Sequence, residues 1–291
     1  MKSSLKQILE QALKEGWAVP HFNISDEITF RAICEAGKKL SSPVLIGTSE
    51  GERKFIGLRQ AVALTRAFRE EYNIPIFLNA DHSYSVETAK SAVDAGYDSV
   101  HIDLSKLPFE ENLKGVQEIV EYARQKNSNI TVEGEVGYLV TESSKIYKEI
   151  IEVPESSLTK PEEALEFARK TGVNRFAPAV GNLHGIAANV KKLDIERIKA
   201  IRKILPENVS LVLHGGSGTP DDQIKEAIKA GINNIHINTE IRVVYANSLR
   251  EFLKNNPEEI APYKIFQPVI AAVAKKVEEK IRLFGAVGKI N

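Results

Sequence analysis

The feature that most limits the fold is a regular alternation of short apolar runs with longer amphipathic segments. Eight runs have the length and composition of buried strands; they cover residues 18–22, 43–48, 75–80, 99–104, 130–136, 175–180, 210–215 and 234–238. The segments between them, such as DEITFRAICEAGKKL and LKGVQEIVEYARQK, have helical periodicity. Alternating strands and helices form parallel sheets with crossover helices. Eight such units in about 240 residues predict a single-domain (β/α)8 TIM barrel.

An internal repeat supports this fold. Residues 87–103 and 222–238 share a helical pattern, then Ala-Gly, four residues and His-Ile. We expect one domain over residues 1–291, with an N-terminal helix and a C-terminal helical extension. The irregular stretch 137–160 is far longer than an ordinary connection, which predicts a mobile active-site loop.

Composition narrows the functional classes. Lys plus Arg and Asp plus Glu both number 39, and this neutral balance argues against a nucleic-acid partner. Cys34 is the only cysteine, so the chain has no internal disulfide and no Cys-x-x-Cys metal site. The sequence has no apolar run of 18 residues and no signal-peptide pattern at its N-terminus. We therefore expect a cytoplasmic protein with no membrane partner.

Three histidines follow predicted strands. His82 comes after the third apolar run, His184 after the sixth, and His214 ends the seventh. In a barrel these positions share the C-terminal face, where active sites are built. A single histidine near a strand end is more often structural. Three at one end favour a catalytic metal site, because three protein ligands and an open position are typical of catalytic zinc.

Carboxylates accompany these histidines. Asp81 directly precedes His82, and Glu133 and Glu135 alternate on the fifth run, so both glutamates point the same way. A buried glutamate is costly unless it is paired or bound to a metal. Both glutamates are metal-ligand candidates, with a salt bridge to a barrel lysine or arginine as the alternative. His21, at the first strand end, fits core packing as well as a site role.

A glycine-rich turn, HGGSGTP at 214–220, follows the seventh run. Its bare backbone lets N–H groups converge on a phosphate, with Ser217 as a further donor, and the helix that follows adds a positive dipole. Asn238 and Thr239 follow the eighth run. The loops after the last two strands are the usual phosphate site of this fold.

On these residues the chain resembles the class II, metal-dependent fructose-bisphosphate/tagatose-bisphosphate aldolase family, nearly end to end. The motifs that carry the resemblance are PHFN (20–23), ADH (80–82), HIDLSKLPFEEN (101–112), VEGEVG (132–137), FAPAVGNLHG (176–185), LHGGSG (213–218) and KIRLFGAVGKIN (280–291). The resemblance implies reversible retro-aldol cleavage of fructose 1,6-bisphosphate to dihydroxyacetone phosphate and glyceraldehyde 3-phosphate. Tagatose 1,6-bisphosphate or another ketose phosphate is the alternative substrate.

The resemblance also implies roles for individual residues. Zinc would be held by His82, His184 and His214, and Asp81 would transfer a proton. A second, alternative metal position would involve Glu135, with Asp103 as a structural aspartate. The substrate groove would be formed by Asn23, Ser49, Gly185, Gly215, Gly216, Ser217, Gly218, His236, Asn238 and Thr239.

Cofactors and partners follow from the same resemblance. Zn²⁺ is the expected metal, although three imidazoles also suit cobalt or iron. A monovalent cation is a further candidate cofactor. The partners would be a small phosphosugar and further copies of the chain, in a homodimer or homotetramer.

Several positions depart from the family pattern, among them the stretch Asn79-Ala80-Asp81-His82-Ser83. The strand-8 asparagine of the family is His236 here, and the catalytic glutamate of the flexible loop falls on Ser143. Glu142 and then Glu149 are the candidates to replace that glutamate. A lysine-based aldolase is disfavoured, because no predicted strand end presents a lysine. A catalytically inactive phosphosugar-binding barrel stays as the alternative from a different class.

Overall fold

The structure, a computed structural model, describes residues 3–189 and 191–290. The first two residues and the last residue of the predicted domain, 1–291, lie outside the described part. The strands of this part are β1 (Val19–Asn23), β2 (Val44–Thr48), β3 (Ile76–Ser83), β4 (Ser99–Ile102), β5 (Thr131–Val136), β6 (Ile146–Tyr147), β7 (Arg175–Pro178), β8 (Ile186–Ala187), β9 (Ser210–Leu213) and β10 (Ile232–Ile237). Eight of them close a parallel barrel in the order β1-β10-β9-β7-β5-β4-β3-β2. This confirms the predicted (β/α)8 barrel.

Helices surround the barrel and connect its strands. They are α1 (Leu5–Glu15), α2 (Glu27–Lys39), α3 (Glu50–Ile56), α4 (Leu58–Tyr72), α5 (Val86–Ala95), α6 (Phe109–Lys126), α7 (Pro161–Thr171), α8 (Ile195–Ile204), α9 (Asp221–Lys229), α10 (Thr239–Asn255), α11 (Pro262–Ile265) and α12 (Gln267–Leu283). Apolar periodicity does not predict α3. That helix begins where Glu52 Oε2 accepts a hydrogen bond from the Ser49 N–H at 2.6 Å, a capping interaction that satisfies an otherwise free donor.

The two terminal extensions pack on the outside of the barrel, and their ends meet, because the Ala18 N–H donates to the Phe284 carbonyl at 3.0 Å. Helix α1 buries Leu5, Ile8 and Leu9 against the barrel, as its amphipathic pattern predicts. The Asn233 side chain, at the start of β10, donates to the Leu9 carbonyl at 2.9 Å. Helix α1 thus packs against β1, β9 and β10. Helix α12 packs against α2 and α10. Among the described residues, no helix has both the length and the apolar character needed to cross a bilayer.

The long segment 137–160 contains more regular structure than the sequence predicts. Strand β6 pairs in parallel with β8 outside the barrel, and a 3-10 turn forms at Glu155–Ser157. The Tyr138 N–H donates to the Ser157 carbonyl at 3.1 Å, which joins the two ends of the segment. Its mobility stays a prediction.

Candidate active site

A cavity of about 540 Å³ opens at the carboxyl ends of the barrel strands. The predicted site residues that line it are Asn23, Ser49, Asp81, His82, Asp103, Glu135, Glu142, His184, Gly185, His214, Gly215, Ser217, His236, Asn238 and Thr239. The lining does not include Glu133, Glu149, Gly216 or Gly218. The structure thus brings together residues from most of the strand ends in one cavity.

Asp81 and His82 both face this cavity although they are consecutive on β3. Consecutive strand residues normally point to opposite faces. Here the pairing of β3 with β4 shifts register between Ala80 and Ser83, and His82 has a left-handed backbone with φ 44°. This irregularity turns both side chains inward, and such features are enriched next to active sites.

A buried arginine supports the irregular segment from behind. The Arg53 guanidinium donates to the carbonyl of Asp81 at 3.1 Å and to the Ser83 hydroxyl at 3.1 Å. It also donates to the Thr48 carbonyl at the end of β2. These bonds tie the strained turn to the neighbouring strand and fix the direction of the two side chains.

The orientation of His82 is set by Asp103. His82 Nδ1 lies 2.9 Å from Asp103 Oδ2, which leaves Nε2 for the cavity. Burial alone would lower the pKa of His82, but the carboxylates of Asp81 and Asp103 raise it to about 10. The ring therefore sits where positive charge is strongly favoured, as expected of a cation site before its cation binds.

His214 is held by an ion pair inside the barrel. Its Nε2 lies 2.6 Å from Glu133 Oε1, and the other oxygen of Glu133 lies 2.5 Å from the Arg175 guanidinium. Arg175 and Glu133 are both fully buried. The sequence predicts Glu133 as a metal ligand or a salt-bridge partner. The structure shows the ion pair with Arg175 and the contact with His214, while Glu133 also belongs to a group with His214 and His236 that could hold a metal, so its role as a ligand stays a prediction.

Arg175 was not among the predicted site residues. Its guanidinium also donates to Asn79 at 2.9 Å and to Asn234 at 3.0 Å, which links three strands across the barrel interior. A sequence signal exists, because the arginine opens the buried run RFAPAV. Burial lowers the pKa of Arg175, with Glu133 opposing the shift.

The three predicted zinc histidines come together, and a fourth joins them. The ring centroids of His82 and His214 lie 4.7 Å apart, and that of His184 lies 5.0 Å from His82 and 5.9 Å from His214. His101, fully buried in β4, lies 4.5 Å from His82 and 4.8 Å from His214. Ligand atoms of Asp81, His82, His101 and His214 all lie within 4.8 Å of one another.

His184 does not belong to that closest set, because its ring stands nearer the mouth, on the loop after β7. The sequence places His101 inside a strand and indicates no role for it. Both of its ring nitrogens lack a hydrogen-bond partner among the described residues, although Nε2 lies 3.6 Å from Glu135 Oε2.

The donor set fits a divalent cation. Imidazole nitrogens and carboxylate oxygens are the ligands that zinc takes in catalytic sites. Buried atoms without a hydrogen-bond partner among the described residues include Asp81 Oδ1 and Glu135 Oε2, and such atoms are costly unless something binds them. Burial and the nearby Asp103 carboxylate raise the pKa of Glu135 well above its usual value. A cation would reverse that shift by compensating the clustered carboxylates.

Asp81 is placed to accept a proton. Its Oδ2 accepts a hydrogen bond from Asn23 Nδ2 at 2.9 Å, while Oδ1 has no such partner and lies 3.3 Å from His236 Nδ1. Burial would raise its pKa, but His82, His101 and His236 hold it well below the usual value. The residue is therefore a carboxylate.

His236, the residue for which the resemblance implies an asparagine, lies beside Asp81. Its ring stacks on His21, with centroids 3.5 Å apart and planes 8° apart. Gly47 makes room for this stack, because a Cβ at that position would come within 2.2 Å of the His21 ring. His21 thus supports a site residue instead of serving only as core packing.

The glycine-rich turn uses two of its backbone donors within the protein. The Gly216 N–H donates to the His236 carbonyl at 3.1 Å, and the Gly218 N–H donates to Glu240 at 2.8 Å. Both N–H groups thus have partners within the protein, and a role of Gly216 and Gly218 in binding the substrate stays a prediction. A side chain at position 216 would clash with β10, because a Cβ there would lie 2.9 Å from β10 atoms.

Other backbone donors remain at this end of the cavity. The N–H groups of Gly215, Ser217 and Thr239 donate no hydrogen bond to any residue in 3–189 and 191–290. The Ser217 hydroxyl accepts from the N–H groups of Asn238 and Glu240, both at 3.2 Å, and so caps α10. The N-terminus of this 17-residue helix adds positive dipole at the same place.

Arg242, in the first turn of α10, also lines the cavity and was not predicted. Its guanidinium contacts Glu52 and the Ser144 hydroxyl of the long segment. Its spacing of three residues after Thr239 is the signal that could have revealed it, because that spacing places it on the same helical face.

The two predicted loop carboxylates lie in different places. Glu142 lines the cavity, and a hydrogen bond from Lys145 lowers its pKa. Glu149 is exposed and lies outside the lining. The segment that carries them is fastened to the site, because the Thr141 hydroxyl donates to the His184 carbonyl at 3.0 Å and the Ser144 N–H donates to Thr239 Oγ1 at 3.1 Å.

Comparison with known proteins agrees with this geometry. Residues 3–289 match the family described as class II fructose-bisphosphate aldolase. The chain is 35% identical to a fructose-bisphosphate aldolase of Geobacillus stearothermophilus over 98% of each chain.

Solved structures agree as well. The YdjI aldolase of Escherichia coli K12 superposes with a TM-score of 0.84 at 28% identity, covering 99% of each chain. A fructose-bisphosphate aldolase of Campylobacter jejuni, at 22% identity and a TM-score of 0.82, covers 98% of this chain and 95% of its own and shares the fold. The chain therefore belongs to the class II fructose-bisphosphate aldolase family.

Proposed function

We propose that this aldolase cleaves fructose 1,6-bisphosphate reversibly to dihydroxyacetone phosphate and glyceraldehyde 3-phosphate, with a zinc ion held by His82, His184 and His214. The observation that carries the proposal is the inward-turned Asp81–His82 pair. It sets an ionised carboxylate beside a cluster of imidazoles at the base of an open cavity. Cleavage of a ketose bisphosphate needs both groups: a base for the C4 hydroxyl, and a cation site for the oxygens on C2 and C3.

The substrate phosphate that flanks the ketone would bind at the start of α10. The free N–H groups of Gly215, Ser217 and Thr239 supply donors, and the helix dipole favours the negative charge. This end of the cavity adjoins His214, because Gly215 follows it directly. Anchoring the phosphate there would set the ketone carbon next to the imidazoles.

Asp81 would act in the bond-breaking step. Its Oδ1 accepts the proton of the C4 hydroxyl, the C4–O bond becomes a carbonyl, and the electron pair of the C3–C4 bond passes to the C2–C3 unit as an enediolate. Asn23 holds the other carboxylate oxygen, which fixes the direction of Oδ1. The aldehyde product leaves with C4 as its carbonyl carbon.

A second proton transfer completes the reaction. The enediolate takes a proton at C3 to become dihydroxyacetone phosphate, and Glu142 would deliver it from the segment at the cavity mouth. Lys145 lowers the pKa of this carboxyl group in the absence of substrate, so Glu142 must first take a proton from water before it can give one to C3. The Glu142 side chain must therefore leave Lys145 and turn inward when the segment closes over the substrate.

When bound, a divalent ion at the imidazoles supplies Lewis-acid polarisation of the ketone. His82 and His214 would offer their free nitrogens, since Asp103 and Glu133 engage the others. Burial lowers the pKa of His214 to about 3, with Glu133 opposing, so the ring is neutral and able to bind a metal at neutral pH. Carboxylates that bind the other ring nitrogen, as Asp103 and Glu133 do here, fix the imidazole tautomer in metal sites.

The test is a retro-aldol panel with parallel metal analysis. Fructose 1,6-bisphosphate, tagatose 1,6-bisphosphate and fructose 1-phosphate are each assayed for dihydroxyacetone phosphate release. We expect the fructose bisphosphate to react fastest, a chelator to abolish activity, and Zn²⁺ to restore it. Faster cleavage of tagatose 1,6-bisphosphate would make that sugar, and not fructose 1,6-bisphosphate, the substrate. Activity that survives metal removal and is trapped by borohydride would indicate a lysine Schiff base and overturn the proposal.

A further inference from the structure

Lys191 is a buried cation that no step above uses. Its side chain is 2% exposed, and its Nζ donates to the carbonyls of Leu183 at 2.7 Å, Gly185 at 3.0 Å and Gly215 at 2.8 Å. It also donates to the carbonyl of Ser217. Lysines are rarely buried unless they are paired. Here the partners are four uncharged backbone oxygens that converge on one point.

The four carbonyls belong to the two loops that form the site. Leu183 and Gly185 flank His184, and Gly215 and Ser217 follow His214. Gly185 and Gly215 both have left-handed backbones, with φ of 73° and 65°, which helps the chain turn around the ammonium. A Cβ at Gly215 would lie 2.0 Å from the Leu183 carbonyl, so the two loops are in direct contact at this point.

A ring of backbone carbonyls is the chemistry that binds a bare monovalent cation. Such oxygens replace the hydration shell of K⁺ in protein sites. An ammonium group has only three hydrogens, so four carbonyl oxygens around it must share three N–H donors. The four oxygens therefore surround the positive charge in the same way as they would surround a spherical ion. The cage formed by Leu183, Gly185, Gly215 and Ser217 is therefore a monovalent-cation site that already contains a side chain.

The position of this charge matters for the anion. Gly215 and Ser217 contribute carbonyls to the cage, and their N–H groups are among the donors left free for a phosphate. A fixed positive charge behind these residues favours a phosphate in front of them, and the low dielectric of a buried site strengthens the attraction.

We infer that the Lys191 ammonium is a built-in replacement for a monovalent cation, which positions the phosphate-binding loops and makes phosphate binding independent of K⁺ and Na⁺. The inference rests on the phosphate site of the proposed function. Lys191 is a positioning residue, because it acts on the anion through Gly215 and Ser217.

The test measures binding of inorganic phosphate by calorimetry in wild type, Lys191→Ala, Lys191→Met and Lys192→Ala, with choline, Na⁺, K⁺ or NH₄⁺ as the cation. Wild-type affinity should not change when K⁺ replaces choline. In choline, Lys191→Ala should bind phosphate at least about tenfold more weakly. K⁺ or NH₄⁺ should restore most of that affinity, because the shortened side chain leaves the cage open to an ion.

Two controls separate this role from a merely structural one. Lys191→Met fills the cage with an apolar chain, so it should bind weakly in every salt. Lys192→Ala removes an exposed neighbouring charge and should behave as wild type. The inference is overturned if wild type itself requires K⁺, or if Lys191→Ala shows no cation rescue. These readouts need no turnover, so they stand apart from failure of the aldolase assay.

Discussion

His82 Nδ1 lies 2.9 Å from Asp103 Oδ2, and this hydrogen bond leaves the other ring nitrogen facing the cavity. The aspartate sits just beyond β4, one strand away from the histidine that it orients. It is anchored in turn by the Ser105 hydroxyl, which donates to its second oxygen at 2.6 Å. The direction of a predicted metal ligand thus depends on two residues of the next loop.

The first prediction tests that orientation. Asp103→Asn should lower metal affinity about 10- to 100-fold, because outer partners of metal-bound histidines have effects of this size. Competition with a chelating dye measures the change. Asp94→Asn, which alters a surface carboxylate bound to Tyr122, is the matched control and should bind metal as wild type does. Equal affinities in the two variants would remove Asp103 from the site.

The second prediction decides which imidazole completes the metal site. His184→Gln should lose most of its bound metal on gel filtration, whereas His101→Gln should keep it, because His184 stands nearer the mouth and His101 is fully enclosed. Metal content per chain and the visible absorption of the Co²⁺-loaded protein are the measurements. The reverse pattern would put the ion deeper, among Asp81, His82, His101 and His214.

The third prediction concerns the cleavage base. Asp81→Asn should lower the rate of fructose 1,6-bisphosphate cleavage by about 10²- to 10⁴-fold, because it removes a proton acceptor. The same variant should still exchange the C3 proton of dihydroxyacetone phosphate with solvent, as followed by NMR in deuterium oxide. Loss of both reactions would mean that Asp81 serves binding and not only bond cleavage.

The fourth prediction separates the two loop carboxylates. Glu142→Gln should lose proton exchange at C3, since Glu142 lines the cavity, whereas Glu149→Gln should retain it because Glu149 lies outside. Exchange at the wild-type rate in both variants would place the enolisation base elsewhere. The residue pair is a natural control, because both changes remove one carboxylate from the same segment.

The fifth prediction addresses the ion pair inside the barrel. Arg175→Met should reduce the free energy of unfolding of the metal-free protein by about 3–5 kcal/mol, because it leaves the buried Glu133 charge without its only cationic partner among the described residues, the Arg175 guanidinium. Urea denaturation measures the loss. Arg175→Met combined with Glu133→Gln should recover part of it. A change below about 0.5 kcal/mol in the single variant would contradict this account.

Mobility of the segment 137–160 is testable by hydrogen exchange. Its Ile146 and Ile150 side chains are 63% and 77% exposed, so the apolar anchoring around them is weak. Amides near these residues should exchange quickly in the free protein and more slowly with dihydroxyacetone phosphate bound, while α6 is unchanged. Equal protection in both states would mean that the segment is fixed.

Sequence patterns predict the barrel well because its signal is local. Each strand and helix carries its own periodicity, and the repeated Ala-Gly frame marks where helices end. The contacts inside the barrel join strands that are far apart in the chain, and no local pattern contains them. Arg175 reaches Asn79 across 96 positions, so the sequence alone could not decide whether Glu133 binds a metal or an arginine.

Backbone irregularities are the second reason why the site cannot be fully predicted from the sequence. Strand alternation would send Asp81 and His82 to opposite faces, and only the register shift in β3 explains why both reach the cavity. In the glycine-rich turn, the motif alone could not distinguish N–H groups that face a ligand from those that bond to β10. Gly216 belongs to the second kind.

Arg175, Asn79 and Asn234 are fully buried and joined by hydrogen bonds across the barrel interior, on strand positions that precede the site residues. The chamber with the histidines is therefore blind at its base. Both products of one cleavage must leave by the mouth through which the substrate came. The fragment nearer the mouth departs first, and the fragment lodged at the base waits behind it. In the direction of carbon–carbon bond synthesis the single opening imposes the reverse order. The fragment that binds at the base must enter before the fragment that binds nearer the mouth.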